Sequence, residues 1–163
     1  MKQKFKEYYK QVVQDTAKLS HAKRLKVGAI AVKNNRIIST GYNGTPAGWD
    51  NECENKYYPT WAHMEQYHED LQNDFPFIDS QGDRYALVTK QEVLHAEHNL
   101  IAKLAQSHES SKDAVIFCTV SPCIECAKLI QSAGIKKFYY IDEYRSNDGI
   151  DFLIKCGIKV EKL

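Results

Sequence analysis

The chain has no long hydrophobic run and no excess of charge of either sign. Of its 163 residues, 22 are Lys or Arg and 21 are Asp or Glu. A net charge near zero argues against the broad basic footprint of a nucleic-acid binder and for a small-molecule enzyme, while leaving room for a small anion held by a few local cations. No apolar stretch approaches the length of a membrane span. The opening segment, MKQKFKEYYKQVVQDTAKLS, is charged throughout and lacks the apolar core of a signal peptide, so the expectation is a cytoplasmic protein. An even set of cysteines is also missing: there are five, which does not suggest a disulfide framework. In a reducing compartment, clustered cysteines point to metal ligands. There is no internal repeat and no low-complexity segment. The length fits one compact domain, residues 1–163, able to bury a core without disulfides.

What is present is a regular pattern at both ends with an irregular middle. Residues 4–19 place Phe5, Tyr8, Tyr9, Val12, Val13 and Ala17 along one face, which predicts an amphipathic helix packed on a sheet. Residues 27–33 and 36–42 are β-rich runs joined by Asn34-Asn35, the pattern of an antiparallel hairpin. Residues 43–94 are the least regular, and about 49–94 read as an insertion on the main fold, with local helix near 60–73 and a short strand at Tyr85–Thr89. From His95 onward the order is helix, strand 114–120, helix 123–133 closed by Gly134, strand 137–141, helix 147–156 and a last strand beginning at Ile158. Alternation at this spacing means α/β with a sheet that is at least partly parallel.

Two short segments carry the chemistry: His95-Ala96-Glu97, and Pro122-Cys123-Ile124-Glu125-Cys126. Together they resemble the H-x-E…P-C-x-x-C signature of the zinc nucleobase deaminases. Cys123 and Cys126 lie three apart in the first turn of a predicted helix, on one face, where the positive end of the helix dipole favours thiolates. His95 supplies a third ligand from the start of the preceding helix. Three protein ligands leave one tetrahedral position for water, the mark of a catalytic zinc. Two thiolates cancel the formal charge of Zn²⁺, so the ion acidifies its water less than an all-histidine site would. A nearby base becomes useful, and Glu97 is the obvious one. The alternative is a structural zinc half-site or a redox pair. The first calls for a second C-x-x-C or an H-x₃₋₅-H, and neither occurs in a suitable context; the second has no need of an upstream H-x-E.

Four segments, VGAIAVKNNRIISTGYNGTPAG, HAEHNLI, SPCIECAKLI and QSAGIKKFYYIDEY, resemble the cytidine/deoxycytidylate deaminase family over about residues 20–160, and most of all its deoxycytidylate branch. That resemblance implies a three-layer α/β/α fold with a mixed, mostly five-stranded sheet. It implies hydrolysis of dCMP to dUMP and ammonia, feeding thymidylate synthesis. Glu97 would be the catalytic residue and His95, Cys123 and Cys126 the zinc ligands. Asn43 would bind the sugar hydroxyl, since its amide can both donate and accept. Ala96, Ser121, Tyr144 and Arg145 are the other expected substrate contacts, with Ser121 offering its carbonyl to the cytosine amino group. Arg24 and Lys26 are candidate phosphate contacts. Many members of that branch are hexamers activated by dCTP and inhibited by dTTP. The resemblance therefore extends to a homo-oligomer, to Mg²⁺ with a dCTP effector, and to Gly44 and Gly48 as points where backbone approaches a triphosphate. No membrane or nucleic-acid partner is expected.

The chain departs from the family in one place: His98 stands where an aliphatic residue is usual, while Asn99 follows as expected. Some relatives bind a second, structural zinc in the insertion, but Cys53, His63 and His68 fit no tight ligand pattern. Cys118 and Cys156 read as packing residues. Two other functions stay open at this stage. One is deamination of another cytosine nucleoside or nucleotide or of tRNA; the other is a zinc-stabilised binding module without catalysis.

Overall fold

The structure, a computed structural model, describes residues 1–61, 63 and 71–163. Helix α1 (Gln3–Lys18) leads into strands β1 (Gly28–Lys33) and β2 (Arg36–Tyr42). The insertion holds β3 (Glu54–Tyr57), a short α2 (Leu71–Asp74), β4 (Phe77–Ile78) and β5 (Arg84–Thr89). The C-terminal half runs α3 (Ala96–Ala105), β6 (Val115–Val120), α4 (Ile124–Ser132), β7 (Lys137–Asp142), α5 (Asp148–Lys155) and β8 (Lys159–Lys162). No helix among the described residues is long and apolar enough to cross a membrane.

The main sheet has five strands in the order β2-β1-β6-β7-β8. β1 pairs antiparallel with β2 and β6, while β6, β7 and β8 run parallel. The hairpin forms because Asn34 and Asn35 both adopt positive φ, 51° and 60°, a conformation asparagine tolerates and a two-residue I′ turn requires. A register shift between Ala31 and Val32 leaves Ile38 as the extra residue of β2.

Period-two alternation sorts the strands into two cores. Ile30, Val32, Phe117 and Tyr139 face α1 and pack with its Tyr9 and Val13. Ala29, Ala31, Ile116, Cys118, Phe138 and Tyr140 face the other way, onto Leu100 of α3, Ile130 of α4 and Leu153 of α5. Phe117 stacks on Tyr139 with centroids 4.6 Å apart and meets Tyr9 at 5.1 Å. The Tyr9 hydroxyl is satisfied by donating to the Asn35 carbonyl at 2.9 Å. Tyr8, expected on the buried face of α1, is instead 56 % exposed. It lies about 100° round the helix from Tyr9, on the side away from Val13 and Ala17, so its ring falls on the solvent side.

The described residues of the 49–94 segment, expected as an insertion, carry more regular structure than their sequence suggests. β3, β5 and β4 form a separate three-stranded antiparallel sheet with β5 in the centre. β3 (ENKY) is polar and β4 is two residues long, so only β5, with Tyr85–Val88, carries an apolar run. Of the helix expected over 60–73, residues 71–73 fall in α2; residues 62 and 64–70 lie outside the described residues.

Candidate active site

The site is assembled where α3 and α4 begin, at the C-terminal end of β6. His95 is the N-cap residue of α3 and Cys123 the N-cap residue of α4, each in extended backbone. Two helix N-termini thus point their positive ends at one spot. The Cys123 sulfur accepts the Cys126 backbone N–H at 3.5 Å. His95 Nδ1 lies 3.3 Å from Cys126 Sγ and 3.5 Å from Cys123 Sγ. All three donor atoms fall within 4.8 Å of one another, and no other such cluster of His, Cys, Asp or Glu is found among the described residues. Bonds of about 2.0–2.3 Å to one central ion give donor-to-donor edges of about this length, so the triangle fits a tetrahedral zinc with one position left over.

The electrostatics match that donor set. Accepting the Cys126 thiol hydrogen bond, with help from His95 and the Cys126 N–H, lowers the Cys123 pKa to about 3. Cys126, buried and facing that thiolate, is pushed up, the Cys123 hydrogen bond being the largest cause. His95 is raised, chiefly by its bond to Cys123. A metal ion held by His95, Cys123 and Cys126 would take the place of the shared proton and let both sulfurs ionise. Glu97, in the first turn of α3, is 4 % exposed. Burial raises its pKa; its own backbone N–H and the nearby His95 oppose that. A carboxyl whose proton affinity is raised, at the edge of a three-ligand metal triangle, is suited to take and return a proton.

Close backbone approaches hold the two halves of the triangle. Gly149, in the first turn of α5, lies against the Pro122–Cys123 segment: a Cβ there would sit 2.0 Å from the Pro122 carbonyl oxygen. Gly41 of β2 lies against α3 in the same way, and a Cβ would come within 2.2 Å of the Ala96 carbonyl oxygen. Asn99 Nδ2 donates to the Tyr42 carbonyl at 2.8 Å, tying α3 to the end of β2. His98 is exposed on the outer side of the helix.

The remaining expected residues divide into three groups. Ser121 is buried beside the metal segment, and its Oγ accepts the Tyr144 N–H at 2.7 Å, so these two are brought together. Arg145 is exposed, with its guanidinium 5.4 Å from the Tyr144 ring centroid. Gly44 is bridged to Leu94 in both directions, at 3.1 and 2.9 Å, which sets the 43–48 loop next to His95. Asn43 is buried, and its amide is engaged with backbone: Oδ1 accepts the Val27 N–H at 2.8 Å and Nδ2 donates to the Leu25 carbonyl at 2.9 Å. One amide hydrogen is left for another acceptor. Arg24 and Lys26 are exposed on the segment that Asn43 holds. Gly48 turns at φ 88° with open space around it. The buried face of Ala96 packs in the main core. Cys53 is buried with Ala22 and Val93, and its sulfur faces the Asn51 carbonyl at 3.7 Å. His63 Nδ1 pairs with Thr60, and His68 lies outside the described residues.

Sequence reasoning missed Gly149, Gly41 and Glu54. A glycine in the first turn of a predicted helix, directly after the metal segment's strand partner, was the available signal for Gly149. Glu54 has none, because its partners are backbone groups some thirty residues away in the chain.

A three-layer α/β fold with a His-Cys-Cys triangle and a buried glutamate beside it defines a metal-dependent hydrolytic enzyme. Residues 3–142 match the family model for the cytidine and deoxycytidylate deaminase zinc-binding region. The chain belongs to the cytidine and deoxycytidylate deaminase family. It is 38 % identical over 149 residues to the deoxycytidylate deaminase of Enterobacteria phage T4, covering 83 % of this chain and 77 % of that one. Against the human deoxycytidylate deaminase the identity is 30 % over 144 residues, covering 87 % and 67 %. Among solved structures, the dCMP deaminase from cyanophage S-TIM5 in complex with dCMP and dUMP superposes with a TM-score of 0.78 at 40 % identity, covering 100 % of this chain and 99 % of the other.

Proposed function

We propose that this chain hydrolyses dCMP to dUMP and ammonia, as a single deaminase domain working in the cytoplasm, and so supplies the substrate of thymidylate synthesis. The observation that carries the reading is the His95–Cys123–Cys126 triangle with buried Glu97 at its edge. The relatives named deoxycytidylate deaminase, and the neighbour solved with dCMP and dUMP, support the choice of substrate.

A zinc ion held by His95, Cys123 and Cys126 supplies Lewis-acid activation of a water when bound. Glu97 accepts a proton from the attacking water as oxygen adds to C4 of the pyrimidine. It then protonates N3, takes the remaining proton from the new C4 hydroxyl and passes it to the exocyclic amine. The C4–N bond breaks, ammonia leaves and the ring becomes uracil. One carboxylate thus serves as base and acid in turn, a contribution of about 10²–10⁴ in rate. The Ser121 carbonyl accepts from the cytosine amino group, Tyr144 and Ala96 border the ring, and the free Asn43 N–H reaches the sugar. Arg24, Lys26 and Arg145 neutralise the phosphate. The 43–48 loop, with Gly44 and Gly48, receives a dCTP–Mg²⁺ or dTTP effector at an interface between copies of the chain.

The test is ammonia release from zinc-loaded protein given dCMP, CMP, deoxycytidine or dCTP, each with and without added dCTP and Mg²⁺. Turnover confined to dCMP is expected, with stimulation by dCTP at low substrate. Equal turnover of deoxycytidine removes the phosphate assignments, and a flat response to dCTP removes the effector site.

A further inference from the structure

The insertion joins the rest of the molecule at a small root. Cys53, Ala22 and Val93 bury one another there, and the Lys90 N–H donates to the Cys53 carbonyl at 3.0 Å. The next residue, Glu54, opens β3 and is 9 % exposed. Its Oε1 accepts two backbone N–H groups, those of Lys23 and Arg24, both at 3.0 Å. Hydrogen bonds from neutral donors to a carboxylate are among the stronger ones, and two converging on one oxygen fix the orientation of both peptides. From the other side, the Asn43 amide holds the Leu25 carbonyl and the Val27 N–H.

Residues 23–27 therefore form a segment with almost no regular structure of its own, clamped at four backbone points by two side chains from elsewhere. The segment projects Arg24 and Lys26 into solvent, and neither has an ion-pair partner among the described residues. Lys23 differs, since it pairs with Glu52 at 3.3 Å. The clamp also adjoins the metal triangle: Asn43 is followed by Gly44, which bridges Leu94, the residue before His95.

We infer that Glu54 is a positioning residue for phosphate recognition: by holding the Lys23 and Arg24 peptides it aims Arg24 and Lys26 at the phosphate of a pyrimidine nucleoside monophosphate. The first strand of the insertion thereby sets the preference for nucleotide over nucleoside. The inference rests on the phosphate reading of Arg24 and Lys26 given above. Without Glu54 the segment would be fastened at one end only, and ligand binding would have to order it. Glu54 touches neither the ring nor the metal ligands, so its loss weakens phosphate binding and leaves the chemical step intact.

The experiment is steady-state kinetics of the zinc-loaded full chain on dCMP and on deoxycytidine, with variants Glu54→Ala, Glu54→Gln, Arg24→Ala and Lys26→Ala. Where deoxycytidine turns over too slowly to time, competitive inhibition by dUMP and by deoxyuridine makes the same comparison. Glu54→Ala is expected to raise KM for dCMP about ten-fold, with kcat little changed and kcat/KM for deoxycytidine kept. Glu54→Gln keeps an acceptor oxygen and is expected to restore most of the loss. Arg24→Ala and Lys26→Ala should each raise KM for dCMP. If Arg24→Ala raises that KM while Glu54→Ala lowers kcat/KM equally on both substrates, or Glu54→Gln does no better than Glu54→Ala, the role of Glu54 is overturned and the phosphate reading stands. If neither cation variant changes KM for dCMP, the phosphate reading fails and this inference with it. Should Glu54→Ala not fold, Glu54→Asp, shorter by one methylene, replaces it with the same selective rise expected.

Discussion

The five-stranded sheet buries Ile30, Phe117 and Phe138 completely, whereas the three-stranded sheet of the insertion leaves Tyr57, Phe77 and Val88 each more than two-fifths exposed. The first sheet is covered on both faces, by α1 on one side and by α3, α4 and α5 on the other. The second is held together by aromatic pairs such as Phe77–Tyr85 and Tyr57–Phe75. Trp49, Trp61 and Ile78 add to its exposed apolar surface. The metal triangle is built wholly on the first region. Arg24 and Lys26, the cations proposed to read the phosphate, sit where the second is fastened to the first. Chemistry needs ligands fixed within a fraction of an ångström, and a close-packed core provides that. Recognition of a phosphate by exposed cations tolerates a looser frame.

The sharpest way to test that division is to remove the proposed proton carrier. Glu97→Gln should cut turnover of dCMP by about 10²–10⁴-fold while the protein still binds one zinc per chain by metal analysis. Normal turnover by this variant would mean that the base lies elsewhere. Phe117→Ala, in the centre of the main sheet, should lower unfolding free energy by about 3–5 kcal/mol, as measured by urea titration. Gly149→Ala tests how tightly the two are coupled. Its methyl would meet the Pro122 carbonyl, and relief of that clash should cost about 1–3 kcal/mol and weaken zinc binding in a chelator competition. If zinc affinity is unmoved, α5 does not set the position of Cys123. In the insertion, Trp61→Ser, at a side chain 73 % exposed, should change stability by no more than about 0.5 kcal/mol. A loss comparable to that of Phe117→Ala would erase the contrast between the two regions.

The same contrast explains what could be read from the chain alone. The main sheet announces itself in Val-Ile-Phe-rich runs such as AVIFCTV, in the Asn34-Asn35 turn and in Gly134, whose φ of 71° closes α4. The clustering of His95, Cys123 and Cys126 was legible as two short motifs, because ligands for one metal need particular atoms at fixed spacing on helix starts. The insertion sheet was not legible beyond Tyr85–Thr89. ENKY and Phe77-Ile78 carry no alternation, and their pairing with β5 depends on long-range register. Asn43 was expected to serve the sugar, yet most of its amide is engaged by Leu25 and Val27. No local signal distinguishes an asparagine that turns a loop from one that clamps another segment. Glu54 was invisible for the same reason: its two acceptor bonds go to backbone, which leaves no trace in side-chain sequence.

In the proposed reaction a metal held by His95, Cys123 and Cys126 enables deamination of dCMP, with Glu97 as the proton carrier. Its most direct test is to strip the metal with a chelator, return zinc in sub-stoichiometric steps, and follow the ultraviolet change from cytosine to uracil on dCMP at each step. No conversion is expected without metal, and the rate should rise linearly until one zinc is bound per chain. Undiminished conversion by the stripped protein, or none with zinc fully bound and Glu97 intact, would contradict the proposed reaction.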